Sequence, residues 1–153
     1  MGLPPHYREI LRAAIPQAAT QDDLASVRVI AGAALGAQAV IETKTPIGFL
    51  HWVFSPGAAV AVPVSPDHAT SVYVFEGAVR IAGREASDGQ LAVLGDGDIV
   101  HFEAGARAQA LLLSGVPLRE PVVQYGPVVM NTEREIMEAI EDYQAGRLGE
   151  IAR

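Results

Sequence analysis

Three histidines and one glutamate are the candidate ligands for a metal site in this chain. His101 and Glu103 stand two positions apart, so on a β-strand their side chains would point to the same face and could share one cation. Together with His51 and His68 they would form a three-histidine, one-carboxylate site of the kind that holds iron or another divalent metal. The alternative is structural, because any strand with two polar residues has this spacing. The polar side of 98–103 could simply face solvent.

Other groups that could carry catalysis have plainer interpretations. Asp96 and Asp98 resemble a pair of catalytic carboxylates, but in a Gly-Asp-Gly-Asp sequence we expect them to fix the backbone of a turn. The Gly-x-Ser-x-Gly pattern of a nucleophile elbow does not occur. The glycine-containing segment 31–36 lacks both the lysine and the following helix of a phosphate-binding loop.

Four aromatic side chains could serve metal-free binding of a small molecule. They would line an apolar pocket at the mouth of a barrel, and they are Phe49, Trp52, Phe54 and Tyr73. The competing interpretation is that they belong to the hydrophobic core.

Composition narrows the functional classes. The chain has 153 residues with 11 Lys and Arg, 18 Asp and Glu, a net charge of −7 and no cysteine. This length fits one domain, and an acidic chain without a basic cluster argues against direct nucleic-acid binding. The absence of cysteine excludes disulfides, thiolate metal ligands and thiol catalysis. Neither a membrane span nor a signal peptide is expected, so we predict a soluble cytoplasmic protein.

The elements that must position these residues are predicted to be strands. Fifteen glycines and ten prolines punctuate the chain, at the spacing of about 8–12 residues that is typical of β-sandwiches and barrels. Nine strands are predicted, at 27–30, 38–42, 49–54, 58–64, 71–75, 78–82, 90–94, 99–103 and 108–113. Their short connections imply antiparallel pairing, because a parallel crossover needs about a dozen residues or more. The predicted fold is an all-β antiparallel sandwich or jelly-roll barrel.

One α-helix is predicted near the carboxyl end. Thr132 and Glu135 have the spacing of a capping box, and Gly146 is a natural stop. An apolar stripe at helical spacing is predicted to dock on the barrel, and it consists of Ile136, Met137, Ile140 and Tyr143. A second short helix is predicted at about 7–14, and 118–130 is predicted to be an extended linker.

Several segments resemble the cupins, and among them the pirins. Tyr73–Gly77 is similar to the Tyr-Val-Leu-Glu-Gly hairpin of cupins, and Gly89–Leu94 followed by Gly97-Asp98 resembles their second motif. More specifically, 117–132 leading into 140–147 resembles the carboxy-terminal signature of pirins, which are bicupin proteins.

The pirin resemblance covers about residues 4–149, and 4–10 resembles the stretch that joins a pirin's two cupin domains. It implies that this chain corresponds to the second cupin of a pirin. The implied organisation is a linker-like segment (1–22), a cupin barrel (23–116), and an extended segment with a C-terminal helix packed on the barrel (117–153).

The same resemblance implies that iron is bound elsewhere. A pirin holds iron in its first cupin, through a His-x-His pair before the hairpin and a His-x-Glu pair after the second motif. Counted from Glu76-Gly77 and Gly97-Asp98, these four places fall on Val62, Val64, Ala110 and Leu112. These side chains have no lone pair for a cation, so the resemblance implies no metal, cofactor or catalytic residue in this chain.

The preferred hypothesis is therefore a structural or protein-interaction half of a bicupin. It would pair with another cupin domain, a second copy or another protein through an apolar face. A whole pirin is expected to serve redox-sensitive regulation through protein contact, or flavonol oxidation. The alternatives are an iron-dependent quercetin 2,3-dioxygenase-like enzyme using His51, His101 and Glu103, and a metal-free binder of small molecules.

Overall fold

The computed structural model describes residues 9–147, and these form the predicted antiparallel β-sandwich followed by a helix. The strands are β1 (Gln17–Ala19), β2 (Ala25–Ala31), β3 (Ala33–Ala34), β4 (Ala37–Gln38), β5 (Ile47–Phe54), β6 (Ala58–Pro63), β7 (Ala69–Glu76), β8 (Ala78–Ile81), β9 (Arg84–Ser87), β10 (Leu91–Val93), β11 (Ile99–Ala104), β12 (Ala108–Gly115), β13 (Val123–Tyr125) and β14 (Val128–Met130). The helix α1 spans Glu133–Gln144. The chain divides into two compact units, one ending at Pro117 and one beginning at Leu118.

Two large sheets of the first unit enclose its core, and the β3–β4 hairpin forms a third, two-stranded sheet. The six-stranded sheet has the order β1-β2-β5-β12-β7-β10, and the four-stranded sheet has the order β6-β11-β8-β9. Every pairing is antiparallel. Alternate residues of the long strands are buried, as expected where one face of each sheet covers the core. The largest fully buried side chains are those of Trp52, Phe54, Phe102 and Leu112.

The turn from β7 to β8 depends on Gly77. Its φ is +75°, in the region that favours glycine, and a Cβ there would collide with the backbone carbonyl of Arg107. The glycine thus lets the chain reverse against the strand that follows Arg107. This geometry places the Glu76 side chain at the end of β7.

The predicted strand at 38–42 is wrong. Residues 33–38 instead form the short β3–β4 hairpin, and 39–46 contain no strand. Leu35 and Gly36 at its tip have φ of +47° and +79°, the signs of a type I′ turn. Strands β1 and β9 were not predicted; Arg84–Ser87 has one buried residue, Ala86, and so lacks an apolar pattern.

The second unit confirms the predicted helix but not the linker before it. Thr132 and Glu135 form the reciprocal capping box, with the Thr132 hydroxyl accepting from the Glu135 amide at 3.3 Å. The prediction of an extended linker at 118–130 is wrong, because β13 and β14 pair as a hairpin around Gly126 (φ +56°). The helix lies against this hairpin.

The apolar stripe of α1 is narrower than predicted. Ile136 is buried and Ile140 is half-buried, whereas Met137 and Tyr143 are exposed. The docking of this stripe on the barrel stays a prediction.

The amino-terminal segment was also predicted incorrectly where it is described. Residues 9–11 are not helical, and only a single 3-10 turn is present, at Arg12–Ala14. The rest of the predicted helix, residues 7 and 8, lies outside the described residues. Within 9–147, no helix has both the length and the apolar character needed to cross a lipid bilayer.

Candidate functional site

His101 and Glu103 share one face of β11, as their spacing predicts, but this face points to solvent. Both polar side chains are exposed, whereas the alternate residues Val100, Phe102 and Ala104 are buried. The neighbouring strand places Ala61 beside His101 and Ala59 beside Glu103. These two side chains are therefore on the outside of the four-stranded sheet, in agreement with the structural alternative.

The other candidate ligands lie apart from this pair. His51 projects outward from β5, in the other sheet. His68 lies in the bend after β6, and its Nδ1 is 3.3 Å from the Ser114 hydroxyl oxygen. The structure thus does not bring the predicted ligands to one ion. Within the part of the chain that the structure describes, no group of three or more His, Cys, Asp or Glu is arranged to hold a metal.

Asp96 and Asp98 lie in the exposed turn between β10 and β11. The backbone carbonyl of Asp98 accepts a hydrogen bond of 2.8 Å from the Val64 amide. This contact continues the pairing of β6 with β11, and the turn-fixing role of the two aspartates stays a prediction.

The four positions that the count from the cupin motifs assigns to metal ligands hold apolar side chains of the core. Val62, Ala110 and Leu112 are at most 3% exposed, and Val64 packs against the same core. Val62 of β6 and Ala110 and Leu112 of β12 belong to one core cluster from opposite sheets, and Val64, just after β6, packs against it. Valine, alanine and leucine side chains contain no oxygen, nitrogen or sulfur that could bind a cation.

The outer face of the six-stranded sheet carries a chain of hydrogen bonds that sequence reasoning missed. Arg28 NH1 is 3.3 Å from His51 Nδ1, and His51 Nε2 is 2.8 Å from Gln109 Oε1. The Gln109 amide nitrogen donates to Glu76, which also accepts from Arg107 Nε at 2.9 Å. The network joins β2, β5, β12 and β7. Because its members are 23 to 58 residues apart in sequence, no local pattern could reveal it.

The partners of His51 assign its tautomer. The Gln109 carbonyl oxygen can only accept, so His51 donates from Nε2 and its Nδ1 is free to accept from the Arg28 guanidinium. A neutral imidazole satisfies both contacts. The hydrogen bond from Arg107, and secondarily that from Gln109, lowers the pKa of Glu76 below its ordinary value.

Apolar side chains surround this network. Leu111 pairs with His51 on one side and with Tyr73 on the other, and the Phe75 ring lies 5.4 Å from the His51 ring. Leu91 follows Tyr73 across the sheet and is 56% exposed. We call this surface the large-sheet face, and it comprises Arg28, Phe49, His51, Val53, Tyr73, Phe75, Glu76, Leu91, Val93, Gln109, Leu111 and Leu113.

The four aromatic candidates for a ligand pocket fall into two groups. Trp52 and Phe54 are core residues, stacked with ring centroids 6.0 Å apart. Phe49 and Tyr73 lie on the large-sheet face. Trp52 alone among the four lines a small apolar cavity beneath the β3–β4 hairpin.

The family model and the curated relatives that match this chain belong to the same family. Residues 49–149 match the family model of the pirin C-terminal cupin domain. The chain is 37% identical over 151 residues to pirin from Homo sapiens, covering 95% of this chain and 51% of that protein, and 35% identical over 150 residues to a pirin-like protein from Solanum lycopersicum, with 95% and 51% covered. The chain thus spans about half the length of the curated relatives it matches.

A solved structure agrees with this result. A crystal structure of quercetin 2,3-dioxygenase from Acinetobacter baumannii superposes with a TM-score of 0.90 at 34% identity. The superposition covers 98% of this chain and 53% of that one. The fold of the chain is therefore that of one half of this larger protein.

Proposed function

Because this chain belongs to the pirin family, through its C-terminal cupin domain, we propose that it is a structural and protein-interacting half of a bicupin that holds no metal itself. The observation that carries the proposal is the hydrocarbon filling of the four ligand-equivalent positions, Val62, Val64, Ala110 and Leu112. A divalent cation needs oxygen, nitrogen or sulfur donors, and these side chains offer none.

The surface proposed for the partner is the large-sheet face. Tyr73, Leu91 and Val93 expose apolar groups beside one another on β7 and β10, and contiguous exposed apolar side chains mark interaction surfaces. The neighbouring chain of hydrogen bonds from Arg28 to Arg107 adds polar groups that would fix the orientation of the partner. The proposed occupant is another cupin domain, with a second copy of the chain or a different protein as alternatives.

The second candidate is a part in quercetin 2,3-dioxygenase-like oxidation. The similarity to the Acinetobacter baumannii enzyme favours it. In that case the iron belongs to a different cupin domain, and this chain contributes by packing against it. The iron would supply dioxygen chemistry there.

A cytoplasmic location is part of the proposal and is tested by cell fractionation.

Metal content of the purified chain tests the proposal. The chain is incubated anaerobically with ferrous iron, passed over a desalting column, and analysed by inductively coupled plasma mass spectrometry before and after chelator. We expect iron far below one equivalent, unchanged in His101→Ala and His51→Ala variants. Close to one equivalent that is lost in either variant, or in Glu103→Gln, would overturn the metal-free proposal.

The partner surface has a separate test. Multi-angle light scattering is run on the chain alone and mixed with the iron-binding cupin domain of a related pirin, using Tyr73→Glu on the large-sheet face and His101→Glu on the opposite sheet. We expect Tyr73→Glu to abolish association and His101→Glu to leave it intact. Equal behaviour of the two variants would contradict the assigned surface.

A further inference from the structure

The six-stranded sheet ends at β10, and one edge of this strand has no neighbouring strand among residues 9–147. Gln90 and Leu94, at the two ends of β10, both bond to β7, through the Gln90 carbonyl and the Leu94 amide, each at 3.0 Å. In an antiparallel ladder every second residue bonds to the partner strand, and the residues between direct their backbone groups away from it. Leu91 and Val93 therefore present their N–H and C=O groups along the open edge.

A groove follows this open edge. It has a volume of about 590 Å³ and lies between β10 and β9, the end strand of the four-stranded sheet. We call it the β10 groove, and it is lined by residues 81–82, 84–86 and 90–95. Because all of β10 lines this space, there is room beside the strand for a further extended segment.

The two strands that border the β10 groove differ in how their edges are covered. On β9 the Ser87 amide donates to the Gln90 side-chain oxygen at 2.9 Å, and the Ser87 carbonyl accepts from the Gln90 amide at 3.0 Å. In the described part of the chain no side chain covers Leu91 or Val93 in this way, and these residues are 56% and 79% exposed. A sheet edge that combines open backbone groups with exposed apolar side chains is a template for another strand.

Charges at the β10 groove favour a basic occupant. Arg84 and Glu85 line the groove, and Asp88, Asp96 and Asp98 are exposed in the turns at the two ends of β10. Four of these five charged side chains are acidic. A second copy pairing antiparallel through β10 would bring the turn after β10 of one copy to the turn before β10 of the other, acid against acid, and like charges disfavour such a contact.

We propose that the β10 edge binds an extended basic segment of another protein, which adds to the six-stranded sheet as a seventh strand. The backbone of the segment pairs with the open groups of Leu91 and Val93, its outward side chains are apolar and lie beside these two residues, and Lys or Arg at its ends faces the acidic turns. The cupin partner proposed above covers the outer face of the sheet rather than its edge, so either proposal can fail without the other.

Three synthetic peptides, acetylated and amidated at their ends, test the pairing on the wild-type chain. The probe is Lys-Lys-Val-Ala-Val-Lys-Lys. Lys-Lys-Pro-Ala-Pro-Lys-Lys has the same charge but lacks the two N–H groups that would donate to β10, and Glu-Glu-Val-Ala-Val-Glu-Glu reverses the charge. In ¹H–¹⁵N spectra we expect saturable shifts of the Leu91 and Val93 amide resonances with the probe, weaker at high salt, and no saturable shift with the other two peptides.

Two proline variants on different sheet edges locate the effect. Val93→Pro removes an amide that faces the β10 groove, and proline is tolerated on an edge strand whose N–H points away from the sheet. Ala59→Pro is the matched control on β6, where the Val64 amide bonds to the Asp98 carbonyl of the β11 side, so that the Ala59 amide faces outward. We expect Val93→Pro to lose the probe-induced shift at Leu91 and Ala59→Pro to retain it, with melting temperatures near that of the wild type.

Four outcomes overturn the proposal. They are the absence of a saturable shift with the probe, equal binding of the proline-containing peptide, wild-type binding by Val93→Pro, and a peptide-free dimer in light scattering that Val93→Pro dissociates. The first two are measured on the wild-type chain, so they decide the proposal even if a proline variant does not fold.

Discussion

Side chains alternate between inward and outward positions on both sheets of the sandwich. The two outer faces differ in the size of the side chains that flank each outward position. On the four-stranded sheet His101 and Glu103 are exposed beside Ala61 and Ala59. On the six-stranded sheet His51 and Leu111 are half-buried, because large side chains flank them on the neighbouring strands. An outward position is therefore not automatically an exposed one.

The difference also decides which polar residues interact. His51 is held between Arg28 and Gln109 with both ring nitrogens paired. Glu103 pairs across the sheet with Arg80, but their side chains form no ion pair within 4 Å in the described chain. Flanking side chains partly bury the hydrogen bonds of His51, and we expect this partial burial to make them matter more for stability.

The strongest contrast between the faces is expected from a charge introduced at matching central positions. Leu111→Asp should lower the free energy of unfolding by about 2 kcal/mol, because a carboxylate replaces a half-buried leucine among Tyr73 and His51. His101→Asp should change it by less than about 0.5 kcal/mol, since the position is exposed. Urea denaturation followed by Trp52 fluorescence measures both. Similar losses for the two variants would contradict the difference in burial.

A smaller effect is expected from removing one member of the hydrogen-bond network. His51→Ala should cost about 1–2 kcal/mol, because the Gln109 carbonyl oxygen and the Arg28 guanidinium lose their hydrogen bonds to the imidazole in a half-buried setting. Glu103→Ala is the matched control on the other sheet and should be close to neutral. The same urea titration applies, and a neutral His51→Ala would show that water replaces the imidazole without loss.

The smallest effect is expected in the pH dependence of stability. The folded-state pKa of Glu76 lies below its ordinary value of 4.5, chiefly through Arg107, so its contribution is fully present above that value and is lost as pH falls through the depressed pKa. Glu76→Gln should abolish this part of the acid destabilisation. The melting temperature is measured at decreasing pH for the wild type, Glu76→Gln and the control Glu103→Gln. Identical wild-type and Glu76→Gln profiles would contradict the assignment.

The local features of the fold were predictable from particular residues. The capping box of Thr132 and Glu135, the alternation of β11 and the aliphatic positions of β12 follow from short-range spacing, and the structure has them. The hairpin at 33–38 was missed because alanine-rich pairs of residues carry no strand signal, and the polar sequence of β9 hid a strand in the same way.

The amino-acid sequence by itself indicated an antiparallel β-sandwich followed by a capped helix. It also places apolar residues at the four positions counted from the cupin motifs. Only the tertiary structure decided that His101 and Glu103 face solvent, that His51 meets Gln109 from 58 residues away, and that Trp52 lines a cavity. The reason is physical. Alternation and capping arise from the backbone geometry of neighbouring residues, whereas burial and partners depend on which distant strands lie alongside.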